Sequence, residues 1–308
     1  MKAIIPVAGV GTRLRPYTYS TPKVLLSVAG KTILDYGIDE LLAAGVDEII
    51  IIKGYLGDRI VSHVSSRYAS SPCRFTFIEQ KEQKGLGEAV LHAKASVTAE
   101  EPVIIVLGDT IFKADYKALV RGPGSVLCVK HVADPRKYGV ALTENGHATK
   151  LIEKPDPPVS NLALVGLYRI EKAGLLFSCL EENIANNVRT KHEFQLTDGL
   201  DLMLRKGHRM RVLEIEDWYD CGKPRSLLET NRHFLAQRPG PLPRAGNNSV
   251  EPPVFIDPSA VLENCIVGPH VTVGPGARLK NCRLSDCVVC EGTVLENIVI
   301  SDAIIGNN

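Results

Sequence analysis

Residues 2–15 read KAIIPVAGVGTRLR, an apolar β-branched run that breaks into two glycines and then a threonine–arginine pair. The apolar run suits a buried strand, and the glycines stand where a strand hands over to a helix. A glycine-rich turn after a strand lets backbone N–H groups approach a polyphosphate closely. Arg13 adds a planar fork of donors suited to phosphate oxygens. The motif is not a P-loop, because no GK[ST] follows, and it lacks the third glycine of a dinucleotide fingerprint. Taken alone, it fits a structural turn at least as well as a phosphate site. A targeting segment is the third reading. Pro6, Arg13 and the lack of a small-residue cleavage pattern argue against it.

Outward from this stretch, β-branched runs alternate with helical periods. Thr32 can cap a helix that carries Ile33, Leu34, Ile38, Leu41 and Leu42 on one side and closes at Gly45. DEIIIIK, RFTFIE and PVIIVLGD read as further strands, with helices in GDRIVSHVSS and GEAVLHAKAS between them. Such alternation indicates a parallel sheet of right-handed βαβ units, whose ligands bind beyond the strand C-termini. The glycine loop and Asp109 both belong at that edge. Beyond about residue 125 the pattern is more mixed. SVLCVK, GVALTE, KLIEK and LALVGLYRI read as strands, EKAGLLFSCLEENI and QLTDGLDLMLRKG as helices, and RVLEIEDWYD as a return to strand.

Residues 236–253, AQRPGPLPRAGNNSVEPP, break the pattern and read as a linker. An internal repeat follows. DPSAVLENC (257–265), GPGARLKNC (274–282) and CEGTVLENI (290–298) align, with Leu262, Leu279 and Leu295 spaced by 17 and 16 residues. Short β runs with turn glycines at this period suggest stacked coils of a β-helix. The Cys287-x-x-Cys290 pair lies inside the repeat without a second paired motif, so these cysteines read as core or surface thiols rather than a metal site.

The 308 residues suggest one large or two ordinary domains, and 44% hydrophobic content can fill a sizeable core. With 36 basic against 35 acidic residues, nothing points to nucleic acid. No run approaches the roughly 18 apolar residues that span a bilayer, so neither a nucleic-acid nor a membrane partner is expected, and a cytoplasmic location is the default.

The full opening, KAIIPVAGVGTRLRPYTYSTPKVLLSVAGKTILDY, resembles the N-terminal signature of the sugar-phosphate nucleotidylyltransferases, the nucleoside-diphosphate-sugar pyrophosphorylases. The resemblance continues in order through EQKEQKGLGEA, LGD, YGV, EKP, NLALVGLY, EFQLTDGL and WYDCG, across roughly residues 1–235. It implies an α/β fold: a Rossmann-like, mostly parallel (mixed) sheet with flanking helices, followed by a short C-terminal left-handed β-helix. The expected parts are a catalytic domain (1–235), a linker (236–253) and a hexapeptide-like tail (254–308).

The implied reaction is attack of a sugar-1-phosphate oxygen on the α-phosphorus of a nucleoside triphosphate, releasing pyrophosphate. Such a step needs alignment of two anions and neutralisation of charge more than acid–base work. By resemblance, Arg13, Lys23 and Lys154 are the catalytic cations. Ala8, Gly9, Gly11, Thr12 and Arg13 form the triphosphate cradle, while Gln80 and Gly85 belong to the base-recognition segment. Gly139, Glu153, Lys154, Asn161 and Tyr168 match sugar-phosphate positions, with core packing the competing account for Tyr168. Asp109 and Asp220 are the expected Mg²⁺ ligands. The motif set looks most like the thymidylyl and uridylyl branches, favouring dTTP over UTP and glucose-1-phosphate as acceptor. A GDP-mannose or UDP-N-acetylglucosamine type is an alternative, as is a non-catalytic regulatory or assembly subunit of the same fold. LLSV replaces the more usual LLPV, and Val24 stands where relatives often carry a polar residue. A homo-oligomer, dimer or tetramer, is expected from the exposed coil end of the tail.

Overall fold

A computed structural model describes residues 1–237 and 247–306. The middle of the expected linker, residues 238–246, lies outside the described residues. The chain divides into two compact units. The first comprises Met1–Gly9, Gly37–Gly108 and Phe112–Trp218; the second comprises Val10–Tyr36, Asp109–Ile111 and Tyr219–Asn308.

The first unit is built on a nine-stranded sheet. Strands β1 (Lys2–Pro6), β2 (Glu48–Lys53), β3 (Arg74–Glu79) and β4 (Val103–Val106) lie parallel in the order β3-β2-β1-β4. Ile49 to Ile52 are all fully buried, which explains why β2 reads as an unbroken apolar run rather than an alternating one. Helix α1 (Ile33–Ala44) begins as expected: Asp35 N–H donates to Thr32 Oγ1 at 3.1 Å and Thr32 N–H returns to Asp35 Oδ2 at 3.3 Å. It ends at Gly45, whose φ of +88° suits only glycine well. Helices α2 (Gly57–Arg67) and α3 (Leu86–Leu91) complete the parallel half.

Beyond helix α4 (Tyr116–Arg121) the sheet continues through β5 (Ser125–His131), β6 (Gly139–Glu144), β7 (His147–Glu153), β8 (Leu162–Ile170) and β9 (Met210–Glu214). The order runs β4-β8-β5-β9-β7-β6, and β8 also touches β6 through Ala163 and Val140. Only β9 with β5 is parallel here; the other pairings are antiparallel. The sheet is therefore mixed to a greater degree than the expected mostly parallel one. The reason is the short connection between β6 and β7, where Asn145 (φ +48°) and Gly146 (φ +74°) make a hairpin turn that forbids a parallel crossover. Helices α5 (Ala173–Ala185) and α6 (Leu196–Arg205) cover this half, with Leu176, Phe177, Leu180 and Leu200 in one core with Ile105, Leu127 and Tyr168.

The second unit joins the loop 10–36, helix α7 (Pro224–Gln237) and the C-terminal repeats. The repeats form parallel strands stacked in register. Leu262, Leu279 and Leu295 are direct partners, as the 17- and 16-residue spacing requires. Ile266, Arg283 and Val299 stack in a second column, and Phe255, Thr272, Val288 and Ile304 in a third. Strand alternation sorts this third column: Val254, Val271, Val273 and Val289 point into the tail's own core. Val288 and Ile304 instead pack in a cluster with Leu14, Leu26, Leu227 and Leu228. Five asparagines or aspartates at the corners (Asn264, Asn281, Asp286, Asn297 and Asp302) adopt positive φ, the turn chemistry such short coils need. All eight cysteines are free thiols, and seven are buried. No helix among the described residues is long and apolar enough to cross a membrane.

Candidate active site

The two units each hold part of the expected set. In the second unit, Gly11 adopts φ +68° and leads into a single 3₁₀ turn, Thr12–Leu14. Leu14 is fully buried, which fixes the turn and leaves Thr12 and Arg13 exposed. Thr18 Oγ1 donates to the Gly11 carbonyl at 2.9 Å. A side chain at Gly11 would meet Lys23 Cβ at 3.0 Å, so the loop is folded tightly against the TPK segment.

Lys23 Nζ is ion-paired with Asp109 Oδ2. Burial pushes the Asp109 carboxyl up, but the charge and hydrogen bond of Lys23, with Arg13 adding, hold it below the usual range. Asp109 is therefore ionised at neutral pH. The Cys221 N–H donates to the Asp109 carbonyl at 3.3 Å, which places WYDCG alongside LGD. Asp220 Oδ1 accepts the Gly222 N–H at 2.8 Å. A Cβ on Gly222 would lie 2.8 Å from Asp220 Oδ1 and 2.9 Å from Arg13 Nη2. Arg13 and Asp220 thus meet at Gly222, while Lys23 pairs with Asp109, whose carboxylate also feels the Arg13 charge: two cations and two carboxylates from four separate stretches of chain. The carboxylates offer only oxygen donors, the set a hard divalent cation prefers. No group of three or more His, Cys, Asp or Glu able to hold a metal occurs among the described residues. Any ion here would depend on substrate oxygens and water for the rest of its shell.

In the first unit, β1 ends at Pro6 and leads into Ala8 and Gly9. Ala8 is buried, and its carbonyl accepts the Gln83 side-chain amide at 2.7 Å. Gly54 lies so close that a side chain there would come within 2.8 Å of Ala8 Cβ. Gly9 is exposed, with nothing within 4 Å of the place a side chain would take. Gln80 follows β3, is 5% exposed, and donates Nε2 to Glu88 Oε2 at 2.5 Å. Its amide N–H₂ is thus committed to Glu88, with the Gly85 carbonyl 3.5 Å away. Gly85 has φ +127°, and a side chain there would overlap Phe194 O at 2.5 Å. Its glycine is required by backbone packing between the GLGEA and EFQL segments.

Of the expected sugar-phosphate positions, Gly139, Glu153 and Lys154 lie where β6 begins and β7 ends. Gly139 pairs directly with Glu153. Thr197 Oγ1 donates to Glu153 Oε2 at 2.7 Å, and Lys154 Nζ stands 3.2 Å from Glu153 Oε1. The Glu153 side chain is 8% exposed, and a Cβ on Gly139 would fall 2.9 Å from Oε2. Glycine here leaves the carboxylate room. Lys154 takes φ +45°, a backbone strain held by its N–H bond to the Tyr138 carbonyl at 2.9 Å. Tyr168 sits in the core at 4% exposure, near enough to Glu153 that this charge, after burial, raises its phenol pKa. Asn161 is exposed, and its carbonyl accepts the Val132 N–H. Thr197, Glu88, Gln83 and Gly222 were not singled out from the sequence, although all four lie inside motifs quoted there.

Residues 2–237 match the nucleotidyl transferase family. Over 99% of the chain and 92% of the relative, it is 30% identical to the low-salt glycan biosynthesis nucleotidyltransferase Agl11 of Haloferax volcanii. It is 32% identical to a glucose-1-phosphate thymidylyltransferase of Streptomyces antibioticus, covering 92% of this chain and 76% of the relative. Among solved structures, UDP-glucose pyrophosphorylase complexed with UDP-glucose superposes with a TM-score of 0.67 at 26% identity, over 77% of this chain and 99% of that one. The chain belongs to the nucleotidyl transferase family.

Proposed function

We propose that the protein transfers a nucleotidyl group from a nucleoside triphosphate to a hexose-1-phosphate. The observation that carries this reading is the meeting of Arg13 and Asp220 at Gly222 together with the Lys23–Asp109 pair, on which the Arg13 charge also acts. An oxygen of the sugar phosphate attacks the α-phosphorus. A new P–O bond forms as the bridging bond to the β-phosphate breaks, and pyrophosphate leaves with the electron pair. Arg13 and Lys23 neutralise charge on the triphosphate, most of all on the departing pyrophosphate, from positions set before substrate arrives. Lys154 orients the attacking phosphate, and Glu153, held by Thr197, accepts sugar hydroxyls. Asp109 and Asp220 would hold Mg²⁺, which supplies charge neutralisation on the phosphate oxygens.

The favoured donor is dTTP, with UTP close behind, and the favoured acceptor is glucose-1-phosphate. The order of motifs, GLGEA in particular, and the thymidylyltransferase among the relatives support this choice. Residues 1–235 act as the catalytic part and 254–308 as a β-helix whose coils are supported by the in-register parallel columns, its left hand resting on the family resemblance alone. The working form is a cytoplasmic homo-oligomer. A pyrophosphate-release panel crosses dTTP, UTP, GTP, ATP and CTP with glucose-, galactose-, mannose- and N-acetylglucosamine-1-phosphates, with Mg²⁺ supplied and withheld. The fastest release is expected with dTTP and glucose-1-phosphate in Mg²⁺. Absence of release with every pair, from folded protein, overturns the reading.

A further inference from the structure

At the start of β5 and β9 the first unit has a second concave site, a cavity of about 450 Å³ lined by Gly124, Ser125, His147, Glu171, Arg209 and Arg211. Arg209 and Arg211 are two residues apart where β9 begins, so they project to one side of the strand. His147 is the direct cross-strand partner of Arg211 and belongs to the same face. Its Nδ1 lies 3.0 Å from the Asn145 carbonyl, which can only accept, so Nδ1 carries the proton and Nε2 is the ring's remaining polar atom. Both arginines are exposed, and among the described residues neither guanidinium has an ion-pair partner.

The wall behind them is built rather than incidental. Glu171 Oε1 accepts the Gly124 N–H at 3.1 Å, and the Glu171 N–H donates to Ser125 Oγ at 2.9 Å. Ser125 Oγ also meets His208 Nε2 at 2.8 Å. Arg169, 6% exposed, donates Nη1 to the Gly124 carbonyl, while its buried Nε–H has no partner among the described residues. A buried guanidinium N–H without an acceptor calls for an anion or water. Among the lining side chains two arginines, Arg209 and Arg211, stand against a single carboxylate, Glu171, which leaves the cavity with an excess of positive charge.

We propose that this cavity binds a phosphate-bearing small molecule through its oxyanion. Two guanidinium forks on one face match the several acceptor oxygens of a phosphate or diphosphate. The volume accommodates a ligand of nucleotide size. The site is separate from the sugar-phosphate cluster, because His147 and Glu153 are opposite ends of β7, roughly 20 Å apart along an extended strand. Neither arginine has a part in the proposed reaction, so the inference stands whether or not the transferase reading does.

Hydrogen–deuterium exchange on the full-length chain carrying Lys23→Met, without divalent metal, locates binding independently of turnover. Orthophosphate, pyrophosphate and dTDP are added in separate arms. The expected result is slowed exchange in peptides spanning 144–148 and 207–213. In Arg209→Ala/Arg211→Ala the concentration giving half-protection should rise at least tenfold, with unchanged melting temperature in the absence of ligand. Protection by all three probes assigns the site to free phosphates. Protection by dTDP alone assigns it to a nucleotide's phosphates. No protection in either peptide with any probe at 10 mM (on the order of the weakest specific binding considered), or protection equal in the double variant, overturns the proposal. Arg211→Glu provides a second variant, in which charge repulsion should abolish protection.

Discussion

Lys23 and Asp109 are ion-paired across 86 residues of sequence, joining the loop after β1 to the residue that follows β4. The carboxylate is thereby held ionised, and the ammonium is held in place before any triphosphate arrives. Asp109→Asn should reduce pyrophosphate release by about 10²–10³ or more, the loss typical of a preorganised electrostatic group. Wild-type rates in that variant would refute the role given to Asp109.

The same pair gives a pH signature. Asp109 titrates lower in the folded protein than its ordinary value of 3.8, so its stabilising contribution is complete above that value and is lost as pH falls through the folded value. The gap in melting temperature between wild type and Asp109→Asn should therefore be constant near neutrality and narrow below about pH 4. A gap that widens on acidification would contradict the ion pair.

Gly222→Ala tests whether Arg13 and Asp220 act as one group. The backbone at 222 has no positive φ, so alanine is conformationally permitted, but its methyl would sit 2.8–2.9 Å from both charged side chains. Displacement of Arg13 should lower kcat by roughly ten- to a hundredfold, within the range for a misplaced electrostatic donor. The melting temperature should fall by only a few degrees. Steady-state kinetics beside a thermal melt separates the two effects, and unchanged kcat would show that Arg13 does not depend on this space.

Thr197→Val removes the hydroxyl that donates to buried Glu153 while keeping the side chain's shape. Leaving a buried carboxylate oxygen short of a donor costs about 1–3 kcal/mol. If Glu153 meets sugar hydroxyls, the KM for the sugar-1-phosphate should rise about tenfold while that for the nucleotide stays put. Equal changes in both would make Thr197 merely structural.

Asn231, 1% exposed on α7, accepts the Ala29 N–H at 2.9 Å and the Thr272 hydroxyl at 2.7 Å through the same Oδ1. Asn231→Ala orphans both donors and should destabilise the second unit by about 1–3 kcal/mol. Denaturant unfolding measures this, and a wild-type midpoint would mean that water replaces the amide without loss.

The parallel half of the sheet was readable because Ile49–Ile52 and their counterparts in β1 and β4 are buried on both faces, leaving no competing period. The tail was readable because its leucines repeat. Helix α7 was not. Its buried face includes Thr230 and Asn231 beside Leu227, Leu228 and Leu235, so hydrogen-bonded polar residues interrupt the apolar stripe. The charged members of the site were legible as motifs, since few roles other than anion handling need that set in that order. Gly222 and Thr197 were hidden for a different reason. One acts by the absence of a side chain and the other by a bond to a residue 44 positions away, and neither property has a local pattern.

The column Phe255, Thr272, Val288 and Ile304 acts as a measuring rule. Each coil contributes one outward residue: Phe255 lies over Gly30, Thr272 meets Asn231, and Val288 and Ile304 join Leu14 and Leu26. Four rungs at about 4.8 Å span roughly 14 Å, against roughly 21 Å for the fourteen residues of α7. Insertions or deletions in this tail can therefore accumulate harmlessly only as whole coils of 16 or 17 residues. Removal of even one such coil would strip a tooth from the surface that seats the loop bearing Arg13 and Lys23.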